Sequence, residues 1–371
     1  MLKKTAAFDY VIIGAGIMGL SLARELLQQH PNGKIAILEK EERIGLHASG
    51  RNSGVLHSGI YYTPGSLKAI LCHQGARAMA EYCDEYQLPI NRIGKIIIAH
   101  KEEDLAQLDI LYNRAQANGA TVELITANEL KKIEPEAYTD KWSALYSPKT
   151  SVIDPKTILE HLYQSLCIKK VDFYFKRNCT SVDTVKKQVF FNDLLISYGH
   201  LFNTAGLYAD KVAIACGLKN RFTMIPFKGR YYKIGLSSRI KINHLIYPVP
   251  NMDVPFLGVH FTKSLDGNVY VGPTAIPAFG REQYRGLKGA RFAETLEVLG
   301  TLGQHYFSNK QGFRSYTHQE ITRFIKSKFI ASAKSLIPRI ENHDLVNCSK
   351  VGIRAQLFDK KNKIGRASCR E

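Results

Sequence analysis

The sequence is short of acidic residues, contains a single tryptophan and has no long apolar run. Asp and Glu number 33 against 51 Lys and Arg in 371 residues, so the formal net charge at pH 7 is +18. This imbalance favours an anionic partner: nucleic acid, an acidic membrane surface or a negatively charged small molecule. No segment reaches the roughly 18 apolar residues that a membrane-spanning helix needs. The 45% hydrophobic content excludes disorder for the bulk of the chain, whose length fits two domains or one large α/β unit.

The seven cysteines lack the spacing of metal ligands. They include no C-x-x-C pair, and no Cys/His pair has zinc-ligand spacing, so we expect neither a structural metal nor a disulfide framework. The N-terminal residues MLKKTAAFDYVIIGAG contain no apolar core ahead of a small-residue cleavage site, which argues against a signal peptide. We therefore expect a reduced, cytoplasmic protein, with peripheral contact to the cytoplasmic membrane left open.

The first forty residues predict a complete β-α-β unit. A buried-strand pattern covers Phe8 to Ile13, and apolar residues at helical spacing follow the glycine-rich segment GAGIMG. Pro31-Asn32-Gly33 ends this helix, and a second apolar strand from Ile35 to Leu38 leads directly into Glu39. A G-x-G-x-x-G segment in this context, with an acidic residue after the second strand, is typical of dinucleotide binding.

Each residue of this unit has a physical role. Gly14 permits the tight turn, Gly16 lets the backbone approach a pyrophosphate, and Gly19 lets helix and strand pack closely. The helix N-terminus offers N–H groups to the phosphates. Glu39 can accept hydrogen bonds from ribose hydroxyls and would repel a 2′-phosphate, which disfavours NADP.

Two further segments have only small side chains where a ligand could approach. Ser49-Gly50-Arg51-Asn52-Ser53 follows the second strand, and its arginine could neutralise phosphate. An ordinary exposed loop has the same composition. Asn203-Thr-Ala205-Gly206 ends a later strand. The glycine turn alone does not decide between NAD and FAD.

The rest of the chain alternates helical and β-rich segments without an internal repeat. The pattern predicts helices over 66–86, 104–118, 128–134 and 154–166, strands over 93–100, 171–175 and 201–203, a β-rich region over 226–272, basic helices over 288–336 and a last strand over 351–357. Because β-α-β units and helices surround the β-rich regions, we expect a discontinuous nucleotide domain.

Five segments together resemble a known family. GAGIMG, ILEK, ASGRNSGVLHSGIYY, NTAGLYAD and VGIRAQL resemble FAD-dependent oxidoreductases of the D-amino-acid-oxidase and glycerol-3-phosphate-dehydrogenase class. Within that class, GRNSGVLHSGIYY, PFKGRYYK and residues 244–273 are similar to the L-2-hydroxyglutarate dehydrogenases (oxidases), and the resemblance runs from residue 8 to 360. It implies an α/β, D-amino-acid-oxidase-like fold: a discontinuous Rossmann-like FAD-binding domain over 1–90, 150–225 and 336–363, and a β-rich α+β substrate domain over 91–149 and 226–335.

The resemblance also implies a set of FAD-binding residues. The glycine turn and Glu39 would hold the ADP half, and the loop over 49–53 would lie along the pyrophosphate and ribityl chain. The whole implied set is Gly14, Gly16, Gly19, Glu39, Ser49, Arg51, Asn52, Ser53, Val182 (at adenine), Ala205, Gly206 and, beside the isoalloxazine, Gly352.

The implied reaction is oxidation of L-2-hydroxyglutarate to 2-oxoglutarate, with hydride transfer from the substrate α carbon to flavin N5. His57 is the first candidate for the base that takes the hydroxyl proton and His260 the second. Arg354 would pair with a carboxylate, because a planar guanidinium can bind two oxygens at once. The second carboxylate of this dicarboxylate would need another cation, Lys228 or Arg230, and Tyr231 could donate a hydrogen bond.

Several alternatives stay open at this point. A related flavoprotein could act on glycerol 3-phosphate or a small amino acid, and electrons could pass to quinone or oxygen. The basic segment with Ile321, Phe324, Ile325, Phe329 and Ile330 on one face, and Arg323, Lys326 and Lys328 elsewhere, fits either a membrane-surface helix or a core-facing one. No nucleic-acid-binding fold is recognisable, and the oligomeric state is not predicted.

The last eight residues are unlike the family. Ile364 to Glu371 matches the translation of a common sequencing adapter in one reading frame, so we expect 364–371 to be a non-native tail. Family members continue instead into a helix whose N-terminus points at the flavin pyrimidine. A chain without that helix is expected to bind FAD weakly and could be an inactive flavin-binding fragment.

Overall fold

The computed structural model describes residues 3–139, 143–191, 194–219, 221–250, 258–274, 276–286, 288–309, 314, 318 and 325–359. Its helices are α1 (Ile17–Gln29), α2 (Leu67–Glu85), α3 (Glu102–Ala117), α4 (Ala127–Ile133), α5 (Pro155–Ile168), α6 (Ala209–Ala215), α7 (Phe292–Ser308) and α8 (Lys326–Lys334). Its strands are β1 (Lys3–Ile13), β2 (Ile35–Leu38), β3 (Val55–Leu56), β4 (Ile90–Asn91), β5 (Lys95–Ile98), β6 (Glu123–Ile125), β7 (Ala144–Ser147), β8 (Ser151–Ile153), β9 (Asp172–Tyr174), β10 (Cys179–Asp183), β11 (Gln188–Phe191), β12 (Leu194–Asn203), β13 (Phe222–Ile234), β14 (Leu245–Pro248), β15 (His260–Lys263), β16 (Val269–Gly272), β17 (Ile276–Pro277) and β18 (Leu345–Asp359).

A six-stranded sheet forms around the predicted β-α-β unit. Its order is β10-β11-β12-β1-β2-β9, and β1 lies parallel to both β12 and β2. All four residues of β2 are buried, as its continuous apolar run predicts. Helices α1 and α5 pack together over one face of this sheet. The carboxyl ends of β1, β2 and β12 therefore meet at one edge, directly beside the N-terminus of α1.

A larger mixed sheet carries the second half of the site. In the described residues its order is β17-β13-β16-β15-β14-β5-β7-β6, with β18 also paired to β13, and β3-β8-β4 form a small third sheet. The pairing of β13 with β18 is long, from Phe222 opposite Asp359 to Ile234 opposite Leu345. Residues 345–359, which the family resemblance assigns to the FAD-binding domain, thus hydrogen-bond within this larger sheet; the domain boundaries remain a prediction.

Local sequence signals account for the helix starts. Ser66 caps α2 by accepting the Ala69 N–H, and Asp154 caps α5 by accepting the N–H groups of Lys156 and Thr157. Pro155 occupies the first turn of α5, where its missing N–H costs nothing. The helices predicted over 66–86 and 154–166 are therefore confirmed, with ends shifted by one or two residues.

The basic helical segment packs on the core through part of α8. Phe329 and Ile330 on α8 are buried in the cluster that underlies the larger sheet, whereas Ile325 is 58% exposed. Ile321, Arg323 and Phe324 lie outside the described residues, as does the predicted tail over 364–371. Among the residues that are described, no helix combines the length and apolar character needed to cross a bilayer.

Candidate active site

The turn between β1 and α1 has room for backbone only. Gly14 has φ +111°, and a Cβ there would lie 2.6 Å from the Thr204 carbonyl oxygen. A Cβ on Gly16 would lie 2.9 Å from Ser49 Oγ, and one on Gly19 would collide with the Gly14 carbonyl. These three contacts explain the glycine spacing: it brings β1, α1 and the ends of two other segments together at one point.

Two side chains fix the backbone of this turn. Glu39, at the end of β2, accepts the Ala15 N–H at 2.9 Å and the Glu41 N–H at 3.0 Å. Ser49 Oγ accepts the Ile17 N–H at 3.0 Å, at the start of α1. The acidic residue and the serine loop therefore meet at the positive end of the helix, where a pyrophosphate binds in dinucleotide folds.

A cavity of about 120 Å³ opens at this helix end. Its lining includes six of the predicted cofactor residues: Gly14, Gly16, Glu39, Ser49, Ala205 and Gly206. Val182, the predicted backbone contact to adenine, does not line this cavity, and its side chain packs in the hydrophobic cluster beside the sheet. The segment that precedes Val182 in the sequence lines this cavity with Arg177, Asn178 and Cys179. The sequence pattern did not single out these three residues.

A group of side chains from distant parts of the sequence closes one side of the cavity. Lys40 Nζ contacts the carboxylates of both Glu41 and Glu282 and lies 3.0 Å from His47 Nε2. The Tyr208 hydroxyl donates to Glu282 at 2.7 Å. Glu41, His47 and Glu282 could in geometric terms hold a metal ion, but the Lys40 ammonium already sits against all three. We call Lys40, Glu41, His47, Tyr208 and Glu282 the Lys40 cluster.

The loop that carries Glu282 is anchored by a buried ion pair. Arg281 donates to Asp210 through Nη1 at 2.5 Å and Nη2 at 2.7 Å, and both side chains are about 3% exposed. Burial alone would raise the pKa of Asp210, but the hydrogen bonds and charge of Arg281 lower it overall. This pair joins the first turn of α6 to the loop after β17.

A second cavity, of about 270 Å³, lies between the larger mixed sheet and the segment over 48–57. Ala48 lines both cavities, so the loop over 48–53 runs from one to the other. The second cavity brings together eight of the predicted site residues: Arg51, Asn52, Ser53, His57, Tyr231, His260, Gly352 and Arg354. Tyr247 and Thr274 also line it, and neither was predicted.

The loop residues are held chiefly by their own segment. Arg51 Nε donates to the Leu46 carbonyl at 2.6 Å, and its guanidinium lies 4.2 Å from the Tyr284 ring centroid. Asn52 donates to the Ser49 carbonyl at 2.8 Å and accepts the Gly54 N–H at 2.8 Å. A Cβ on Gly352 would lie 2.8 Å from the Arg51 carbonyl oxygen. The strand β18 therefore touches the loop where Gly352 leaves room for it.

Lys228 and Arg230 do not line this cavity. Phe227, Gly229 and Tyr231 line it from β13, and side chains alternate between the two faces of a strand. Lys228 and Arg230 accordingly lie on the other face, where Arg230 is exposed and Lys228 half-buried. Neither of the two residues predicted to anchor the second carboxylate therefore lines this cavity.

The two candidate histidines lie deep in the cavity wall. His260 Nδ1 lies 2.8 Å from the Gly258 carbonyl oxygen, which can only accept, so the neutral ring donates there and exposes a lone pair on Nε2. Burial lowers the pKa of His260 to about 4; the Gly258 hydrogen bond opposes this, and Arg354 and Lys95 add to it. Burial lowers the pKa of His57 to about 3, with smaller contributions from Lys95, His260 and Arg354. Both imidazoles are neutral at pH 7.

Tyr231 completes the wall on the side of Arg354. Burial raises the pKa of its phenol to about 12, the Arg354 charge opposes that rise, and Cys348 adds to it. The phenol is therefore a neutral hydrogen-bond donor at pH 7. A cavity with the guanidinium groups of Arg51 and Arg354, a neutral phenol and two neutral imidazoles can bind a carboxylate and accept a proton.

The residues present fit FAD. The glycine turn leaves space that any Cβ would fill, Glu39 lies at the end of β2, and a continuous loop connects this point to the second cavity. An extended dinucleotide could thus place its adenosine half at the first cavity and its ring system at the second.

Comparisons with known proteins agree with this geometry. The family model for FAD-dependent oxidoreductases matches residues 9–370. An L-2-hydroxyglutarate dehydrogenase of Indibacter alkaliphilus is 37% identical, covering 95% of this chain and 88% of that protein. An L-2-hydroxyglutarate dehydrogenase of Escherichia coli K12 is 32% identical, covering 96% of this chain and 84% of that protein.

Solved structures show the same fold at lower identity. The FAD-bound L-α-glycerophosphate oxidase of Mycoplasma pneumoniae superposes with a TM-score of 0.74 at 22% identity, covering 96% of this chain and 85% of that one. Glycine oxidase from Geobacillus kaustophilus superposes with a TM-score of 0.69 at 17% identity, covering 95% and 84%. At such identities the likeness concerns the fold alone.

Proposed function

Because the chain belongs to the FAD-dependent oxidoreductase family, we propose that it oxidises L-2-hydroxyglutarate to 2-oxoglutarate. The observation that carries the proposal is the second cavity, where Arg354 and two neutral histidines converge beside the loop that leads from the nucleotide cavity. Curated relatives at 32–37% identity bear the name of this activity over about 95% of the chain.

The chain's own residues would hold the cofactor at stated places. Gly14, Gly16 and Glu39 would contact the ADP half; Val182 stays the predicted backbone contact to adenine, and Arg177, Asn178 and Cys179 are further candidates there. The loop over 48–53 would follow the pyrophosphate and ribityl chain into the second cavity. When bound there, FAD supplies the acceptor for the hydride that leaves the substrate α carbon.

Arg354 would bind the carboxylate next to the reacting carbon. Its guanidinium offers paired N–H donors that match the two oxygens of a carboxylate, which fixes orientation as well as position. The neutral phenol of Tyr231, on the adjacent strand, would donate a further hydrogen bond. These two donors would direct the α hydroxyl toward the histidines.

His260 would take the hydroxyl proton. The Gly258 carbonyl holds Nδ1 as the donor, so the lone pair of Nε2 is the acceptor. His57 Nδ1 is buried without a hydrogen-bond partner among the described residues, so nothing comparable sets its tautomer. The tautomer argument reverses the order in which sequence reasoning ranked the two histidines.

The proposal extends to the electron acceptor and to contact with a membrane surface. Quinone or oxygen would reoxidise the cofactor, and delivery to quinone would require contact with an anionic membrane surface. The charge of +18 suits such a surface. Neither acceptor has a specific group in the described cavities that favours it.

The test uses the full chain reconstituted with FAD. Candidate substrates are added without oxygen while the oxidised-flavin absorbance is followed. We expect rapid bleaching by L-2-hydroxyglutarate and none by D-2-hydroxyglutarate, glycerol 3-phosphate or glycine. Bleaching by glycerol 3-phosphate alone would assign the alternative substrate, and bleaching by glycine alone would assign an amine oxidase.

A further inference from the structure

Lys95 is a buried lysine with no anionic partner among the described residues. It lies on β5 with 0% of its surface exposed, and its Nζ makes no hydrogen bond among the described residues. The ammonium sits between two aromatic rings, 4.7 Å from the Tyr61 centroid and 5.7 Å from the Tyr247 centroid. Cation–π contacts offset part of the cost of burying the charge, but they do not replace a carboxylate.

Two more unsatisfied polar atoms adjoin Lys95. His57 Nδ1 and the Tyr61 hydroxyl are both buried and without hydrogen-bond partners in the described part of the chain. The rings of His57 and Tyr61 lie 6.3 Å apart, and those of His57 and Tyr247 lie 6.4 Å apart. Buried polar atoms are nearly always paired in stable folds, so three such atoms in one layer indicate a functional arrangement.

This layer lies directly behind the second cavity. His57 and Tyr247 form part of the cavity wall, and Lys95 packs against the far side of that wall. On β7, Ser147 lies opposite Lys95, and its hydroxyl bonds those of Ser58 and Thr150 at 3.4 and 3.0 Å. Among the described residues Lys95 Nζ therefore has no hydrogen-bond partner, and the Tyr247 ring separates it from the cavity.

We propose that Lys95 is a specificity-determining positioning residue, a buried cation that acts through the wall of His57 and Tyr247 to favour a dicarboxylate over a monocarboxylate. The inference rests on the proposed function, which requires a second cation beside Arg354. Lys228 and Arg230 face away from the cavity, and Arg51, which does line it, is held on the cofactor loop by the Leu46 carbonyl and the Tyr284 ring. A charge behind a low-dielectric wall acts over several ångströms with little screening.

The inference includes a pH dependence of binding. Burial lowers the pKa of Lys95 to about 7, and Cys72 opposes this slightly. Around Lys95, α2 presents Cys72, the segment after β3 presents His57 and Tyr61, and β14, β15 and β18 present Tyr247, His260 and Arg354.

Between about pH 6 and pH 9, Lys95 is the group in that set that changes charge. The pKa values of His57 and His260, at about 3 and 4, lie below this range. Burial raises the pKa values of Tyr61, Tyr247 and Cys72, so these groups stay neutral. A bound dicarboxylate stabilises protonated Lys95, so binding takes up a proton near neutral pH and weakens as the pH rises.

The experiment measures inert ligands on the holoenzyme. Glutarate and pentanoate differ only in the second carboxylate, and neither carries a hydroxyl to oxidise; each is titrated while the flavin spectrum is followed. For Lys95→Met we expect glutarate affinity at pH 6 to fall about tenfold or more, pentanoate affinity to change less than about twofold, and the pH dependence to disappear. Lys241→Met, which removes an exposed lysine, is the matched control and should leave the affinities for glutarate and pentanoate unchanged.

Two further measurements keep the test decisive. Calorimetry of wild type in buffers of different ionisation enthalpy should show uptake of about half a proton per glutarate at pH 7. Lys95→Arg, which keeps the charge, should retain most of the preference for glutarate. The inference is overturned if Lys95→Met loses equal affinity for glutarate and pentanoate, or if glutarate binding to the wild type takes up no proton.

A failure of the inference on Lys95 can be distinguished from a failure of the proposed function. If L-2-hydroxyglutarate bleaches the flavin and Lys95→Met keeps the wild-type preference for glutarate, the inference on Lys95 fails alone. If L-2-hydroxyglutarate does not bleach the flavin, the proposed function fails and the inference fails with it.

Discussion

The imidazole of His260 stacks on the phenol ring of Tyr247, with ring centroids 4.0 Å apart and 14° between the planes. Stacking fixes the plane of the imidazole, and the hydrogen bond from Nδ1 to the Gly258 carbonyl fixes its rotation and tautomer. A proton acceptor must be held in the right orientation before its basicity matters. His260 meets that condition through two independent contacts.

The first prediction concerns the base. His260→Gln should lower the rate of flavin reduction by L-2-hydroxyglutarate about 10²- to 10³-fold, because positioned proton transfer contributes about that much. Glutarate affinity should change little. Rapid mixing without oxygen measures the rate, and His57→Gln is the matched variant, for which we expect a smaller loss. A larger loss in His57→Gln would restore His57 as the base.

The pH profile gives a second prediction for the same group. A base must be unprotonated to act, and burial lowers the pKa of His260 to about 4. With substrate saturating at every pH, so that the Lys95-dependent change in binding does not enter, the rate of flavin reduction should therefore stay level as the pH falls from 8 to about 5, and it should drop only near pH 4. A limb centred near 6.5, the ordinary value for histidine, would contradict the assignment.

The third prediction concerns Arg354. Arg354→Met should lower the affinity for both glutarate and pentanoate by about 10- to 100-fold, since both ligands carry the carboxylate that the guanidinium would bind. Arg354→Lys should recover only part of this loss, because an ammonium cannot make the paired contact. Spectral titration measures both variants. Lys95→Met, by contrast, should affect glutarate selectively, so the two cations are separable.

The fourth prediction concerns the glycine turn. Gly14→Ala places a methyl group 2.6 Å from the Thr204 carbonyl oxygen and forces alanine to φ +111°. The strain should displace the turn and weaken FAD binding about tenfold or more, measured from the flavin content of the purified protein. Gly75→Ala on α2, where a Cβ meets nothing within 4 Å, is the control and should retain FAD. Equal flavin content in both variants would contradict the role of Gly14.

The fifth prediction concerns the buried pair of Asp210 and Arg281. Asp210→Asn leaves the guanidinium buried without its counter-charge and should destabilise the fold by about 3–5 kcal/mol in denaturant unfolding. The native pKa of Asp210 lies below its ordinary value, so its contribution is full above that ordinary pKa and is lost as the pH falls through the native one. Glu81→Gln, which removes an exposed i,i+4 pair with Arg77, should change stability by under about 0.5 kcal/mol.

Features encoded locally could be predicted from the sequence. The spacing of Gly14, Gly16 and Gly19 between two apolar runs predicts a strand-turn-helix, and the clash that a Cβ on Gly19 would make with the Gly14 carbonyl lies within the segment itself. The clashes at Gly14 and Gly16 are with Thr204 and Ser49, which the local pattern does not specify. Asp154 before Pro155 marks a helix start for equally local reasons. The alternation on β13 also held a usable signal: Lys228 and Arg230 cannot face the cavity if Tyr231 does.

Features that depend on strand pairing could not be predicted. Tyr247 reaches His260 because β14 pairs with β15, and Glu282 reaches Lys40 across 242 positions of sequence. Nothing in the local pattern around either residue specifies such a partner. Lys95 did carry a signal, since a lysine at the start of an apolar strand must be either exposed or functionally buried; only the structure decides between these.

The hydrogen bonds from Ala15 to Glu39 and from Ile17 to Ser49 have a consequence for how the cofactor is captured. They are formed by the protein itself, so the turn is ordered as the chain folds. The turn loses its conformational entropy during folding. Ligand binding therefore requires little further loss of backbone entropy in the turn. Association should then be limited by diffusion and orientation of the nucleotide, with no slow step in which the turn takes shape around it.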